Sequence, residues 1–495
     1  MKFTALGGVA ALSLVAACVE QDDVDMTGTS VEALTHHNQT LPNNLPIPNS
    51  SGWATTISTQ GGIDLSNEYF QDLGTNGRRC VSCHLPTAGW GITPPQVREI
   101  FNITLGGKLD DGAGLGAIFR PVDGSNSPTA DVSTFAKRKQ AYSMLLNRGL
   151  IRVGLPIPAT AEFELVAVDD PYHFASASEL SLFRRPLPAT NVKFLSTVMW
   201  DGRETVVGAT IESDLETQAN DATLGHAQGI DTTLEERASI KDFEENLYFA
   251  EIYDNRAGDL DAAGAHGGPQ KLIDQEFHIG INDNFGDCID PDGVGCRRVG
   301  NPLGQGTRGA PFTAVVFDIY NAWTDTHSGP SYLAANRRAV ARGEALFNTF
   351  PITISGVSGL NDEAAFGAPP SLVGSCTTCH DTPNSGNHSV VAPLNIGLTD
   401  ESRRTADMPL YTLRNKTTGE IKKTTDPGRA LISGLWKHVG RFKGPILRGL
   451  AARAPYFHNG FAADLDEVID FYNDRFNMNL TTQQHSDLVA FLRTL

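Results

Sequence analysis

Two five-residue stretches decide how this chain reads: Cys80-Val81-Ser82-Cys83-His84 and Cys376-Thr377-Thr378-Cys379-His380. Each is CxxCH, the attachment pattern of a c-type haem. The spacing has a physical reason. On a helical turn, positions i and i+3 share a side, so both thiols can reach the two vinyl groups of one porphyrin. The His that follows turns its imidazole to the iron from the same side, as the proximal ligand. A structural zinc site would need four ligands and no His fixed after each pair. A thioredoxin-type dithiol occurs once, beside a βαβ pattern. The two motifs therefore predict two covalently bound haem c groups, held by Cys80, Cys83, Cys376 and Cys379, with His84 and His380 on the irons. The first cysteines stand 296 positions apart, at 80 and 376, which predicts two separate haem domains.

Working outward, residues 64–80 (DLSNEYFQDLGTNGRRC) and the stretch from Arg338 (RAVARGEALFNTF) both read as a short amphipathic helix, a loop and the haem turn. The expected fold is mainly α: two cytochrome c-type haem domains with loop-rich insertions and a few short strands. The expected divisions are a lipoprotein signal peptide at 1–18, a flexible tether at 19–50, an N-terminal haem domain with an insertion at 51–239, a loop-rich insertion at 240–333 and a C-terminal haem domain at 334–495. A strand is expected over 162–168 (EFELVAV) within the first insertion.

The start, Met1-Lys2 followed by an apolar run from Leu6 to Ala17, is too short to span a bilayer. It ends Val15-Ala16-Ala17-Cys18, like a bacterial lipoprotein processing site, with Cys18 the lipidated residue. The plainer reading is an ordinary signal peptide. Either places the protein outside the cytoplasm, in the periplasm or anchored to the outer membrane. Of the remaining cysteines, Cys288 and Cys296 suit a structural disulfide, which contributes roughly 2.5 kcal/mol in the chain-entropy model. The net charge of −18 argues against nucleic acid as a partner.

Three features together resemble the bacterial diheme cytochrome c peroxidases and their relative MauG. They are the two CxxCH sites, Trp200-Asp201-Gly202-Arg203 between them, and the run from Phe442 through Ala454-Pro455-Tyr456-Phe457-His458 to Phe471-Tyr472-Asn473. The resemblance implies that Trp200 lies between the haems and relays electrons. It implies a distal ligand on the C-terminal haem from Tyr472, with Met478 as the rival. Between His84 and His173 there is no histidine, which implies an open sixth position on the N-terminal haem. Gln218 aligns with a pocket glutamine, and Gln228 stands where the family has an acid–base Glu. His226 could take over the proton transfer, ligate iron or be a surface residue. The family's calcium is left open, because Arg185 and Arg453 stand near its usual ligands. The acidic loop Asp283, Asp287, Asp290 and Asp292 could hold calcium or be solvated.

The function so implied is a diheme redox enzyme. It activates hydrogen peroxide or oxygen at the N-terminal haem and draws electrons through the C-terminal haem from a small donor or target protein. The alternative is a non-enzymatic diheme electron-transfer cytochrome. A membrane enters only through the lipid on Cys18.

Overall fold

The computed structural model describes residues 40–206, 209–283, 315–364 and 367–495. Cys18, most of the tether, the Cys288–Cys296 pair and the acidic residues Asp287, Asp290 and Asp292 lie outside them. No helix among the described residues is long and apolar enough to cross a membrane.

Each motif sits in its own core. Around the first, Tyr69, Phe70, Trp90 and Phe243 form a cluster of edge-to-face and tilted rings against which Cys80 and Cys83 pack. Around the second, Phe317, Phe347 and Phe491 meet edge to face beside Tyr320, with Cys376 packed against the cluster. Buried aromatics supply large apolar area and prefer these tilted geometries.

The two flanks differ. The second motif follows a long helix, Ser331–Thr349, which packs on the last helix, Thr482–Leu492. They touch at Gly343, where a Cβ would lie 1.9 Å from the Asp487 carbonyl oxygen. Before the first motif there is only one 3₁₀ turn, Glu68–Phe70. The helix expected over 64–80 is thus cut short, and the cause is contact. A Cβ on Gly74 would lie 2.0 Å from the Ala227 carbonyl oxygen. The Thr75 amide donates to that same carbonyl at 3.0 Å. The segment is therefore tied at this point to the loop after the helix Ile211–Gly225.

Strands join distant parts of the chain. Gly52–Ser58 pairs antiparallel with Leu247–Asp254, from Gly52 opposite Asp254 to Ser58 opposite Leu247. The latter strand lies within the expected loop-rich insertion. The expected division at 239–240 falls inside the helix Leu234–Glu245. A capping box of Thr233 and Glu236 starts that helix, and its Ile240 and Phe243 are buried in the first core. In the first insertion, Phe163–Asp169 forms a strand. It pairs with Leu410–Asn415, which also pairs with Ile421–Thr424. Ile151–Leu155 pairs with Leu180–Arg184. Under these strands a third core collects Phe163, Leu180 and Leu182 from one side with Tyr411, Leu413 and Trp436 from the other.

Candidate active site

The two motifs are built alike. Each opens a 3₁₀ turn, Cys80–Ser82 and Cys376–Thr378. The hydroxyls of Ser82 and Thr378 accept the Arg79 and Ser375 amides at 3.0 and 2.9 Å. The amides of His84 and His380 donate to the carbonyls of Cys80 and Cys376, both at 3.1 Å. Each imidazole is then clamped by a carbonyl six residues on: His84 Nδ1 donates to Trp90 O at 3.1 Å, and His380 Nδ1 to Gly386 O at 2.6 Å. A carbonyl on Nδ1 leaves Nε2 for metal, the usual outer partner of a ligating His. The four cysteines are free thiols. Burial pushes Cys83 up to about 11 and Cys376 and Cys379 up to about 12. They stay protonated at neutral pH, which suits neither thiolate exchange nor a zinc site.

Each motif opens on a cavity, with empty volumes of about 1500 Å³ and about 1530 Å³. Two free thiols and one carbonyl-clamped imidazole on the wall of each cavity fit a covalently attached haem. Cys80, Cys83 and His84 would hold one, and Cys376, Cys379 and His380 the other.

The first cavity is polar on one flank. Gln218 lines it from the helix Ile211–Gly225, and His226 lines it from that helix's C-terminal end. His226 Nδ1 donates to Asp123 Oδ2 at 2.7 Å. Arg78 braces the pair, donating to the His226 carbonyl at 3.0 Å and meeting Asp123 at 3.5 Å. Asp123 is held below its usual range despite burial, because the His226 hydrogen bond and then the Arg78 charge favour its ionised form. His84 is lowered to about 4, by burial first. Gln228 does not line the cavity. It is exposed at φ +53°, its side chain accepting from Asn76 at 3.3 Å. The alignment position that carries the family's acid–base group thus points elsewhere, and a histidine–aspartate pair faces the cavity instead.

The second cavity is apolar. Tyr472 and Met478 both line it, from the helix Leu465–Phe476 and the turn after it. Burial raises the Tyr472 phenol well above its usual value, with Cys379 and Cys376 close enough to add to the shift. Met478 also packs against the cluster of Ile352, Ile354 and Val357. His388 and His458 line the same cavity. His458 is buried, and neither of its ring nitrogens has a hydrogen-bond partner among the described residues. Its ring stacks on Phe442 with centroids 4.1 Å apart.

Trp200 and Lys443 line both cavities. The Trp200 indole donates to the Arg185 carbonyl at 2.8 Å, and its ring meets His458 at 6.1 Å. The Arg185 amide donates to the His458 carbonyl at 2.7 Å. The Arg185 guanidinium donates to the carbonyls of Ile92, Arg148 and Arg453 at 2.6, 2.8 and 3.0 Å. A fixed cation thus sits on backbone oxygens near the place where calcium was left open. Asp283 of the acidic loop is buried, not solvated. Its carboxylate lies with Asp381 and His388, their ligand atoms within 4.8 Å of one another.

Several of these residues carried no role in the sequence reading. Asp123 lies 103 positions from His226, and nothing local announces that contact. Lys443 and His458 stand inside the quoted run, adjacent to motif residues, but only the cavities show what they face.

No family model matches the chain. Over 132 residues it is 30% identical to the cytochrome-c peroxidase IdrP2 of Denitromonas iodatirespirans, a match covering 25% of this chain and 36% of that protein. It is 32% identical over 140 residues to the cytochrome-c peroxidase IdrP1 of the same organism, covering 24% and 36%. It is 31% identical over 130 residues to IdrP2 of Pseudomonas sp. strain SCT, covering 24% and 35%. The chain spans about a third of the length of the curated relatives it matches.

Proposed function

We propose that the chain is a diheme c-type oxidoreductase that reduces hydrogen peroxide, or oxygen, at the cavity of His84. Electrons arrive through the cavity of His380. Export and a lipid on Cys18 belong to the same reading. The observation that carries it is the contrast between the cavities: one has an imidazole–carboxylate pair on its wall, the other is apolar, and one tryptophan is shared. The similarity to cytochrome-c peroxidases supports it.

A haem bound at each CxxCH supplies an iron that exchanges single electrons. The chain's residues do the rest. Two electrons and two protons convert peroxide to two waters. His226 takes a proton from one peroxide oxygen and returns it to the other, as a positioned general acid–base group does. Asp123 orients the imidazole and stabilises its charged form. Gln218 offers an amide to the same space. Tyr472 would ligate the second iron: its phenol lines that cavity close enough to Cys379 and Cys376 to feel their charge, while Met478 packs against an aliphatic cluster. Trp200 gives electrons an aromatic path between the cavities. Arg185 takes the structural place of an interdomain calcium.

The His226–Asp123 pair also favours a second reading. An imidazole backed by a carboxylate is a strong metal ligand, and His226 on the first iron would make the chain an electron carrier. Electron paramagnetic resonance of the ferric protein separates the two. A high-spin signal at one haem with peroxide turnover is expected. Two low-spin haems inert to peroxide would leave only the electron-transfer cytochrome.

A further inference from the structure

The second cavity has one cationic side chain of the Lys or Arg type on its wall. Among the described residues that line it there is no aspartate, glutamate or arginine, and the single lysine is Lys443. That lysine also lines the first cavity. It is 7% exposed. Its amide donates to the Trp200 carbonyl at 2.9 Å, so its backbone is tied to the tryptophan between the cavities. Its Nζ donates to the Thr197 carbonyl at 2.6 Å. An ammonium has three N–H donors, and that carbonyl is the side chain's one hydrogen-bond partner among the described residues.

The carboxylate that acts on Lys443 is Asp201, and it is already engaged. Arg184 pairs with it at 2.5 Å and Arg203 at 3.3 Å. Arg184 also pairs with Asp426 at 2.7 Å. Glu204, beside Arg203, is pushed up to about 7 by burial and then by Asp221. His458 is lowered to about 4 by burial, so it brings no positive charge at neutral pH. Lys443 is therefore a buried amine whose ammonium has no ion-pair partner among the described residues. Such a charge is costly to keep, and burial lowers it to about 7. Both cavities fit haem, and each haem carries two propionate carboxylates.

We propose that Lys443 is the shared counter-cation of the two haems: its ammonium bonds a propionate of each, holds their edges beside Trp200 and raises both reduction potentials. The proposal rests on the diheme reading above. The sign follows from charge: a nearby cation favours the less positive, reduced haem.

The test uses the full-length, haem-loaded protein and its Lys443→Gln and Lys443→Arg variants. Haem content is read from the pyridine haemochrome spectrum, and each midpoint potential from a spectroelectrochemical titration. In Lys443→Gln both potentials should fall, by a tenfold change in the oxidised-to-reduced ratio, about 59 mV for one electron. Lys443→Arg should keep most of both. A loaded Lys443→Gln protein with unmoved potentials overturns the proposal, and a fall at one haem only overturns the shared role. Should the glutamine variant fail to mature, resonance Raman of the wild type decides. Propionate bending bands of hydrogen-bonded carboxylates at both haems support the proposal, and bands of free carboxylates overturn it. Peroxide turnover is no part of this readout. Coupled shifts without turnover would sink the peroxidase reading and leave Lys443 standing; turnover with unmoved potentials would do the reverse.

Discussion

At the scale of single residues, the proposed chemistry turns on the His226–Asp123 pair, which meets at 2.7 Å on the wall of the first cavity. Removing the imidazole in His226→Ala should cost about 10²–10⁴-fold in peroxide turnover, the usual worth of a positioned acid–base group. The haem spectra and the count of two haems should not change. A changed first-haem spectrum would instead mark His226 as an iron ligand. Asp123→Asn should lower turnover by roughly 10–100-fold, as loss of an orienting partner commonly does. How much of this was legible depended on what constrains the residue. Cys80, Cys83 and His84 fall within five consecutive positions, a spacing that can be read locally, and all three line the first cavity. Asp123 reaches the site from a left-handed backbone conformation at φ +61°, across 103 positions, and no local pattern encodes that. Gln228 shows the converse: position in an alignment promised a role, but its backbone at φ +53° turns the side chain out to solvent.

At the scale of elements, close approach decides which segments stay regular. The helix Ser331–Thr349 reads plainly from its apolar spacing, and Gly343 lets it lie against Thr482–Leu492. Gly343→Ala should cost about 3 kcal/mol through overpacking against a carbonyl that cannot move alone. A lowered midpoint in thermal unfolding, followed at the second haem's absorbance, checks this. The segment before the first motif looked equally helical, yet contact with Ala227 at Gly74 overrides that propensity. The strand Leu247–Asp254 buries Glu251, whose carboxyl accepts from Asn49 at 2.7 Å. Burial raises it from 4.5 to about 7. Below pH 4.5 the group is neutral folded and unfolded. Between 4.5 and 7 the unfolded chain ionises it while the folded one keeps the proton, so stability falls as pH rises through that window. Glu251→Gln should therefore raise the urea midpoint at pH 8, by up to about 3 kcal/mol of stability, and leave it unchanged near pH 4.

At the scale of the whole molecule, Arg185 fastens the two halves. Its guanidinium gathers carbonyls from Ile92, Arg148 and Arg453. Arg185→Met should strip those buried acceptors of their donor, each at about 1–3 kcal/mol, and lower the thermal midpoint of the whole protein. Treatment of the wild type with a calcium chelator should leave turnover and midpoint as they were. A chelator-sensitive wild type would show that Arg185 does not substitute for the ion.

The pairing of Phe163–Asp169 with Leu410–Asn415 governs the order of events during synthesis. The earlier strand emerges hundreds of positions ahead of its neighbour, and the third core stays half-built until Tyr411, Leu413 and Trp436 arrive. On the proposed diheme reading, porphyrin would be joined to Cys80 and Cys83 while this core is still open. Late closure would then leave a window of time for fitting the first pigment before the molecule seals around it.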